Sequence, residues 1–231
     1  MTYNANVYVV LLNWNGWQDT IACLQSLFQS RGVRLRVLVC DNASGDNSLD
    51  RIAAWARGEQ AIEQPAHPRL NKLVSNGPRL PLDLTTINRA TAEQGRCDSN
   101  APLVLIDNED NLGFAAGNNV GLRFALEQPE MEYVWVLNND TLVEPDCLSN
   151  MIRRLESTGE RAVCGSMIHF FDQPEVIQAI GGNRFNRLTG TAACSEGRFT
   201  HENSAPDFHD IEHQLAYISG CSLLLPRDFL E

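Results

Sequence analysis

At 231 residues, 43% of them hydrophobic, the chain is long enough for one large domain or two small ones. Its net charge of −11 reads against nucleic acid as a partner, because binding a phosphate backbone needs clustered Lys and Arg. No apolar run reaches the roughly 18 residues of a membrane-spanning helix, and no basic segment or cleavage site precedes the first strand-like run at Val7.

That run, Val7 to Asn13, is continuously apolar until its last residue, as expected of a strand covered on both faces. Trp14 to Trp17 reads as a turn. Ile21, Leu24, Leu27 and Phe28 then recur at helical spacing, with Asp19 placed to cap the helix. Leu35 to Asp41 predicts a second strand, again ending in a carboxylate. Leu49, Ile52, Ala53 and Ala56 mark a second helix. Residues 58–102 carry five prolines and no period, and read as a long insertion packed on the surface. Order resumes with a strand at Leu103–Ile106, a glycine-rich segment from Asn111 to Gly121, a helix to about Leu126, and a strand from Val134. Pro145 is placed to open another helix through Leu148, Met151, Ile152 and Leu155. Ala162–Ile168 and Ala216–Leu225 read as single strands, residues 172–215 as polar and less regular, and Pro226 as the start of a helix. Strands alternating with helices predict an α/β fold whose central sheet is mostly parallel and flanked by helices.

The most telling stretch is Val134-Trp-Val-Leu-Asn-Asn-Asp-Thr141, an apolar strand that stops at amides, a carboxylate and a hydroxyl. The carboxyl edge of an open α/β sheet is where ligands bind. Oxygen donors of this kind suit Mg²⁺ or Mn²⁺, which often share one or two carboxylates with substrate phosphates. Strand ends at Asn13, Asp41 and Asn138-Asn139-Asp140 would converge there if the strands are neighbours. Taken singly, each also reads as a turn or helix cap. A cation at Asp140 would also offset the acidic charge of the chain toward an anionic nucleotide.

Together these motifs resemble family 2 glycosyltransferases with the GT-A fold, in particular the rhamnosyltransferase-like branch. The residues that carry the resemblance are Val10–Gly16, Val39–Asp46, Asn111–Asn118 and Leu137–Thr141, with Ile180–Gly182 and Ile218–Ser222 also similar. The match spans most of the chain except 58–102. The resemblance implies one GT-A-like catalytic domain over residues 1–231. It implies inverting transfer of rhamnose or a similar sugar from a dTDP- or UDP-sugar to a hydroxyl of a glycan or lipid-linked acceptor, as in polysaccharide biosynthesis. Asn13 would lie by the nucleotide, and Asp41, with Asn42, would contact the base or ribose. Asn111, Gly113 and Asn118 would line the donor pocket. Asn138-Asn139-Asp140 matches the D-x-D motif of the family with Asn in place of the first acid, which leaves Asp140 as the metal ligand and Asn138 as a neutral oxygen donor.

The family places its general base in an acidic motif after the segment that matches Ile218–Glu231. Asp228 and Glu231 belong to the last helix, and Asp207, Asp210 and Glu212 to a polar loop, so the base is expected beyond Glu231. The chain therefore reads as the N-terminal portion of a longer protein, holding the donor site and leaving apolar surface of its last strand uncovered. A non-catalytic nucleotide-sugar-binding module is the competing reading. A sugar nucleotidyltransferase is disfavoured, because Asn13–Trp17 lacks the basic glycine-rich loop that such chemistry needs.

The remaining candidates carry less chemistry. The seven cysteines are scattered, with no Cys-x-x-Cys pair; Cys40, Cys164 and Cys221 sit in apolar runs and read as small buried groups in a reducing compartment, and the chain is expected in the cytoplasm or at the inner membrane face. His201, His209 and His213 follow no metal-binding spacing and read as solvated loop residues. Trp14 and Trp17 read either as a stacking platform or as packing for the first helix. Glycines at 113, 117 and 121 match no dinucleotide or phosphate-loop pattern.

Overall fold

The computed structural model describes residues 4–159, 161–194 and 211–231. The first half alternates strand and helix: β1 (Ala5–Asn13), α1 (Trp17–Leu27), β2 (Val33–Asp41), α2 (Ser48–Arg57), α3 (Pro68–Ser75), β3 (Leu84–Asn88), α4 (Arg89–Glu93), β4 (Leu103–Asp107), α5 (Gly113–Leu126) and β5 (Tyr133–Asn138). The second half contains α6 (Cys147–Thr158), then short strands β6 (Cys164–Gly165), β7 (Met167–His169), β8 (Ile177–Ile180), β9 (Gly182–Asn186), β10 (Thr191–Cys194), β11 (Tyr217–Ile218) and β12 (Ser222–Pro226), and a terminal turn of helix, α7 (Arg227–Leu230).

A seven-stranded sheet runs in the order β3-β4-β2-β1-β5-β12-β6. Its first five strands are parallel, while β12 and β6 are antiparallel to their neighbours. The apolar runs of β1 and β2 are explained by burial on both faces. Val7, Val9 and Leu11 point into a core shared with Ile21 and Leu24 of α1, Trp55 of α2 and Ile152 of α6. Tyr8 and Val10 point the other way, against Val120 and Phe124 of α5. Gly117 and Gly121 let α5 lie close to the sheet. A Cβ at Gly121 would sit 2.7 Å from Val10 Cγ1, and one at Gly117 2.5 Å from Leu12 Cδ1.

The structure departs from the sequence expectations in four places. The segment from 58 to 102, expected to lack regular structure, contains α3, β3 and α4, and β3 is an edge strand of the main sheet. Leu70, Leu73, Val74 and Ala92 within it are buried. Residues 172–194 form β8–β10 of a second, antiparallel sheet, ordered β10-β9-β8-β7 with β11 on β9. The single strands expected at Ala162–Ile168 and Ala216–Leu225 are each divided, with β6 and β12 in the main sheet and β7 and β11 in the second. Finally, β12 is not uncovered: it lies between β5 and β6, with Leu224 fully buried.

Candidate nucleotide and metal site

Parallel pairing brings the carboxyl ends of the strands to one edge, and their polar terminal residues fall in register. Asn88 of β3 pairs with Asp107 of β4, Asp107 with Asp41 of β2, and Asp41 with Asn13 of β1. On the other side of β1, Leu12 pairs with Asn138 of β5. Sheet order reverses between β1 and β5, since the chain first builds outward through β2 and then returns to the opposite side of β1. That reversal is the kind of crevice in which α/β sheets bind ligands, and Asn13 and Asn138-Asn139-Asp140 stand at it.

The inner residues form one hydrogen-bonded network. Asn13 is fully buried, and its Nδ2 donates to Asp41 Oδ1 at 2.6 Å and to Ser44 Oγ at 3.1 Å. Asn13 Oδ1 accepts from Thr20 Oγ1 at 2.8 Å. Asp41 also accepts from the Ser44 hydroxyl at 2.6 Å and from the Ser44 N–H at 2.9 Å. Ala43 sits between them at φ 54°, a left-handed conformation that folds the turn back onto the carboxylate. Asn42 is buried beside it, donating to Gly113 O at 3.1 Å and accepting from Asn108 Nδ2 at 2.8 Å. Asn111 Oδ1 accepts the Gly113 N–H at 3.0 Å, and Asn118 Nδ2 donates to Phe114 O at 2.9 Å. Gly113 has φ 74°, so the glycine there permits the turn into α5.

The Asn138–Asp140 turn joins this network through α1. Asn139 Nδ2 donates to Thr20 Oγ1 at 2.9 Å and to Asn13 Oδ1 at 3.5 Å. The tip is held from below, where Thr141 Oγ1 donates to Asn138 O at 2.7 Å. Asp140 itself is exposed. Asp19 does not cap α1: the residue before the helix is Gly16, and Asp19 lies in the first turn. Partial burial and the nearby charge of Asp140 push the Asp19 carboxyl above its ordinary value. Burial, and then the same charge, push the Cys221 thiol up to about 11.

These donors fit a divalent cation shared with a ligand better than one enclosed by protein. Among the described residues no three His, Cys, Asp or Glu side chains come together. The turn instead presents one exposed carboxylate beside amides, the donor set of a cation that completes its shell with phosphate oxygens.

Asp140 and Asn138 also border a cavity of about 570 Å³ that extends away from the Asp41 network. Its walls come from Trp135 and Leu137 of β5, from Leu70 and Leu73 of α3, and from Phe170 and Phe171 after β7. Arg69 crosses from α3 to the other walls, its Nε 3.2 Å from Glu144 Oε1 and its Nη1 3.2 Å from Pro174 O.

Other sequence candidates fall elsewhere. Trp14 is 60% exposed, while Trp17 packs partly against the main core under Arg51. His213 is exposed, and Glu212 is held by Arg154 Nε at 2.8 Å. Asp228 on α7 and Glu231 just after it are exposed, and Glu231 pairs with Arg227 at 2.7 Å. His201, His209, Asp207 and Asp210 lie outside the described residues. Sequence reasoning did not single out Thr20, Asn88, Asp107 or Asn108, and took in Ser44 only within the Val39–Asp46 motif. Asp107 and Asn108 left a signal, as the polar residues that close the apolar run of β4.

The sequence model of Glycosyl transferase family 2 matches residues 89–210. Among solved structures, the chain is similar to the mannosyltransferase PcManGT from Pyrobaculum calidifontis in complex with GDP-Man and Mn2+. The identity is 17% over 99% of this chain and 46% of that one, with a TM-score of 0.54. It is also similar to S. aureus TarS 1-349, with 16% identity over 80% of this chain and 43% of that one and a TM-score of 0.47. The chain thus spans less than half the length of these two structures. No curated protein matches it in sequence.

Proposed function

The chain belongs to glycosyl transferase family 2, and from that membership we propose that it carries the donor side of an enzyme transferring a sugar from a nucleotide diphosphate to an acceptor hydroxyl. The observation that carries this reading is the in-register row Asn88, Asp107, Asp41 and Asn13, which ends beside the exposed carboxylate of Asp140. Asp41 and Asn42 hold the base and ribose, with Asn13, Thr20 and Ser44 fixing the Asp41 carboxylate. Asn111, Gly113 and Asn118 shape the pocket wall at the start of α5. Asp140, with Asn138, holds a divalent cation, and Asn139 borders the nucleotide. Such a cation, when bound, neutralises charge on the departing diphosphate.

That a solved structure sharing this fold contains GDP-Man and Mn2+ supports the pairing of nucleotide and metal and adds GDP to the candidate bases. The donor sugar is rhamnose or a related hexose, and transfer inverts the anomeric centre. The acceptor is a glycan or lipid-linked saccharide met in the cytoplasm or at the inner membrane face, in polysaccharide assembly. None of the described helices is long and apolar enough to cross a membrane. Residues 58–102 are an insertion within the catalytic domain that also supplies its edge strand β3.

Calorimetric titration with UDP, dTDP and GDP, each with and without Mn²⁺, tests the reading. One diphosphate should bind with metal-dependent affinity. A folded chain that binds none of them under either condition would refute the donor site.

A further inference from the structure

The Asn138–Thr141 turn carries one carboxylate, Asp140, and the fold brings a second to it on α1. The start of α1 is fastened to this turn at several points. Asn139 Nδ2 donates to Thr20 Oγ1 at 2.9 Å, and Cys23 Sγ lies 4.0 Å from Asn138 O and 3.9 Å from Thr141 Oγ1. A Cβ on Gly16, just before the helix, would sit 3.2 Å from Asn139 Nδ2. Residues four apart share one face of a helix. Asp19 is therefore on the face that Cys23 turns toward Asn138 and Thr141, one turn nearer the start of α1. That start follows the end of β1, so it lies at the carboxyl edge of the sheet, where β5 delivers Asp140.

Asp19 and Asp140 are both exposed, and among the described residues neither has a hydrogen-bond or ion-pair partner. Partial burial, and then the charge of Asp140, raise the Asp19 carboxyl, which agrees with this placement. Two carboxylates on one small surface repel each other. No Lys or Arg side chain offsets this pair, whereas a divalent cation would. Cations of the Mg²⁺ class are commonly held by one or two carboxylates together with substrate phosphates, and they keep several waters. The turn alone offers the lower of those counts.

We propose that Asp19 is a further ligand of the cation at Asp140, bound directly or through one of the cation's waters, so that the metal is gripped from α1 as well as from the turn after β5. The proposal rests on the glycosyltransferase reading and deepens it at the same site. Asn138 can then stay neutral, because the second carboxylate comes from the helix instead of from the turn.

The test is calorimetric titration of Asp19→Asn with UDP, dTDP and GDP, each with and without Mn²⁺, alongside paramagnetic resonance of free Mn²⁺ to read metal occupancy. Without metal, loss of a negative charge beside the diphosphate should leave binding unchanged or slightly tighter. With Mn²⁺, nucleotide affinity and metal occupancy should both fall, on the order of tenfold. A purely structural role would not divide the effect by metal in this way. Asn138→Asp places a second carboxylate on the turn itself, at a side chain with no hydrogen-bond partner among the described residues. Added to Asp19→Asn, it should restore most of the Mn²⁺ enhancement. An Asp19→Asn variant with undiminished enhancement would overturn the proposal. So would equal weakening with and without metal, or a double variant that regains nothing. Asp140→Ala and the wild type, measured in parallel, separate the two failures. If Asp140→Ala loses the enhancement and Asp19→Asn keeps it, only the Asp19 assignment falls; if the wild type binds no diphosphate with Mn²⁺, the glycosyltransferase reading falls with it.

Discussion

Asn13 Nδ2 donates to Asp41 Oδ1 across 2.6 Å, joining the last residues of two adjacent parallel strands. The bond is fully enclosed, so the carboxylate is held by protein donors before any ligand arrives. Preorganisation of this kind lowers the ordering cost of binding.

Replacing Asp41 therefore acts on two levels. Asp41→Ala strands the Asn13 amide and the Ser44 N–H in a buried site, which should destabilise the fold by about 1–3 kcal/mol. It should also weaken nucleotide binding whether or not metal is present. Urea denaturation and titration with nucleoside diphosphate check the two effects separately, and unchanged affinity in a folded variant would return Asp41 to the role of a turn residue.

Asp140 predicts the opposite pattern. Its side chain is exposed, so Asp140→Ala should alter stability by less than about 0.5 kcal/mol. It should abolish the enhancement of nucleotide affinity by Mn²⁺ while leaving metal-free affinity within a few-fold. Persistent enhancement would place the cation on other residues.

Gly117 sits where α5 touches both the sheet and the site. A side chain there would meet Leu12 Cδ1 and, at 2.7 Å, Asn42 Oδ1. Gly117→Val should cost about 1–3 kcal/mol through overpacking and should weaken nucleotide binding by displacing Asn42. A fall in thermal midpoint with unchanged affinity would show that Asn42 does not contribute to the donor pocket.

The alkaline limit of the fold should report on Tyr8. Burial, aided by its hydrogen bond to Glu130, pushes the Tyr8 phenol up to about 12 from an ordinary value of 10.0. An acid whose pKa is raised on folding favours the native state while protonated. Stability should therefore hold up to about pH 10 and fall between about pH 10 and 12 as the unfolded chain ionises first. Tyr8→Phe should show a shallower loss over that window in denaturant titrations, and an identical pH profile would refute the assignment.

How much of this was legible in the sequence depends on burial. β1, β2, β4 and β5 are covered on both faces and so read as unbroken apolar runs, while α1, α2 and α6 show helical spacing because one face of each is buried. β3 escaped notice because Leu84-Thr-Thr-Ile-Asn88 is an edge strand without a buried residue, lying among prolines. The second sheet was hidden because its strands are short: β9, at five residues, buries only Gly182, and β9 and β10 carry no long apolar run. The divided strands were illegible because their apolar residues run on almost unbroken through Ser166 and through Gly220-Cys221, although the backbone changes sheet there. In the site, Asp41 and Asn138–Asp140 announced themselves as polar ends of apolar strands. Thr20 lies within a helix and Ser44 within a turn, where such residues are ordinary, and only the folded chain brings them onto Asn13.

The two chain crossings have a mechanical consequence. Gly165 and Leu223 are paired neighbours, so the passages from β6 to β7 and from β11 to β12 leave the main sheet side by side. A Cβ on Gly165 would stand 2.1 Å from Gly181 O, and one on Gly182 2.0 Å from Tyr217 O, so backbone meets backbone there without side chains between. The cavity lies between Phe171, after β7, and Leu73 of α3, and it is spanned by the Arg69–Glu144 pair, the Arg69–Pro174 bond and the His67–Glu175 contact, so any change in its width would have to break or stretch those contacts.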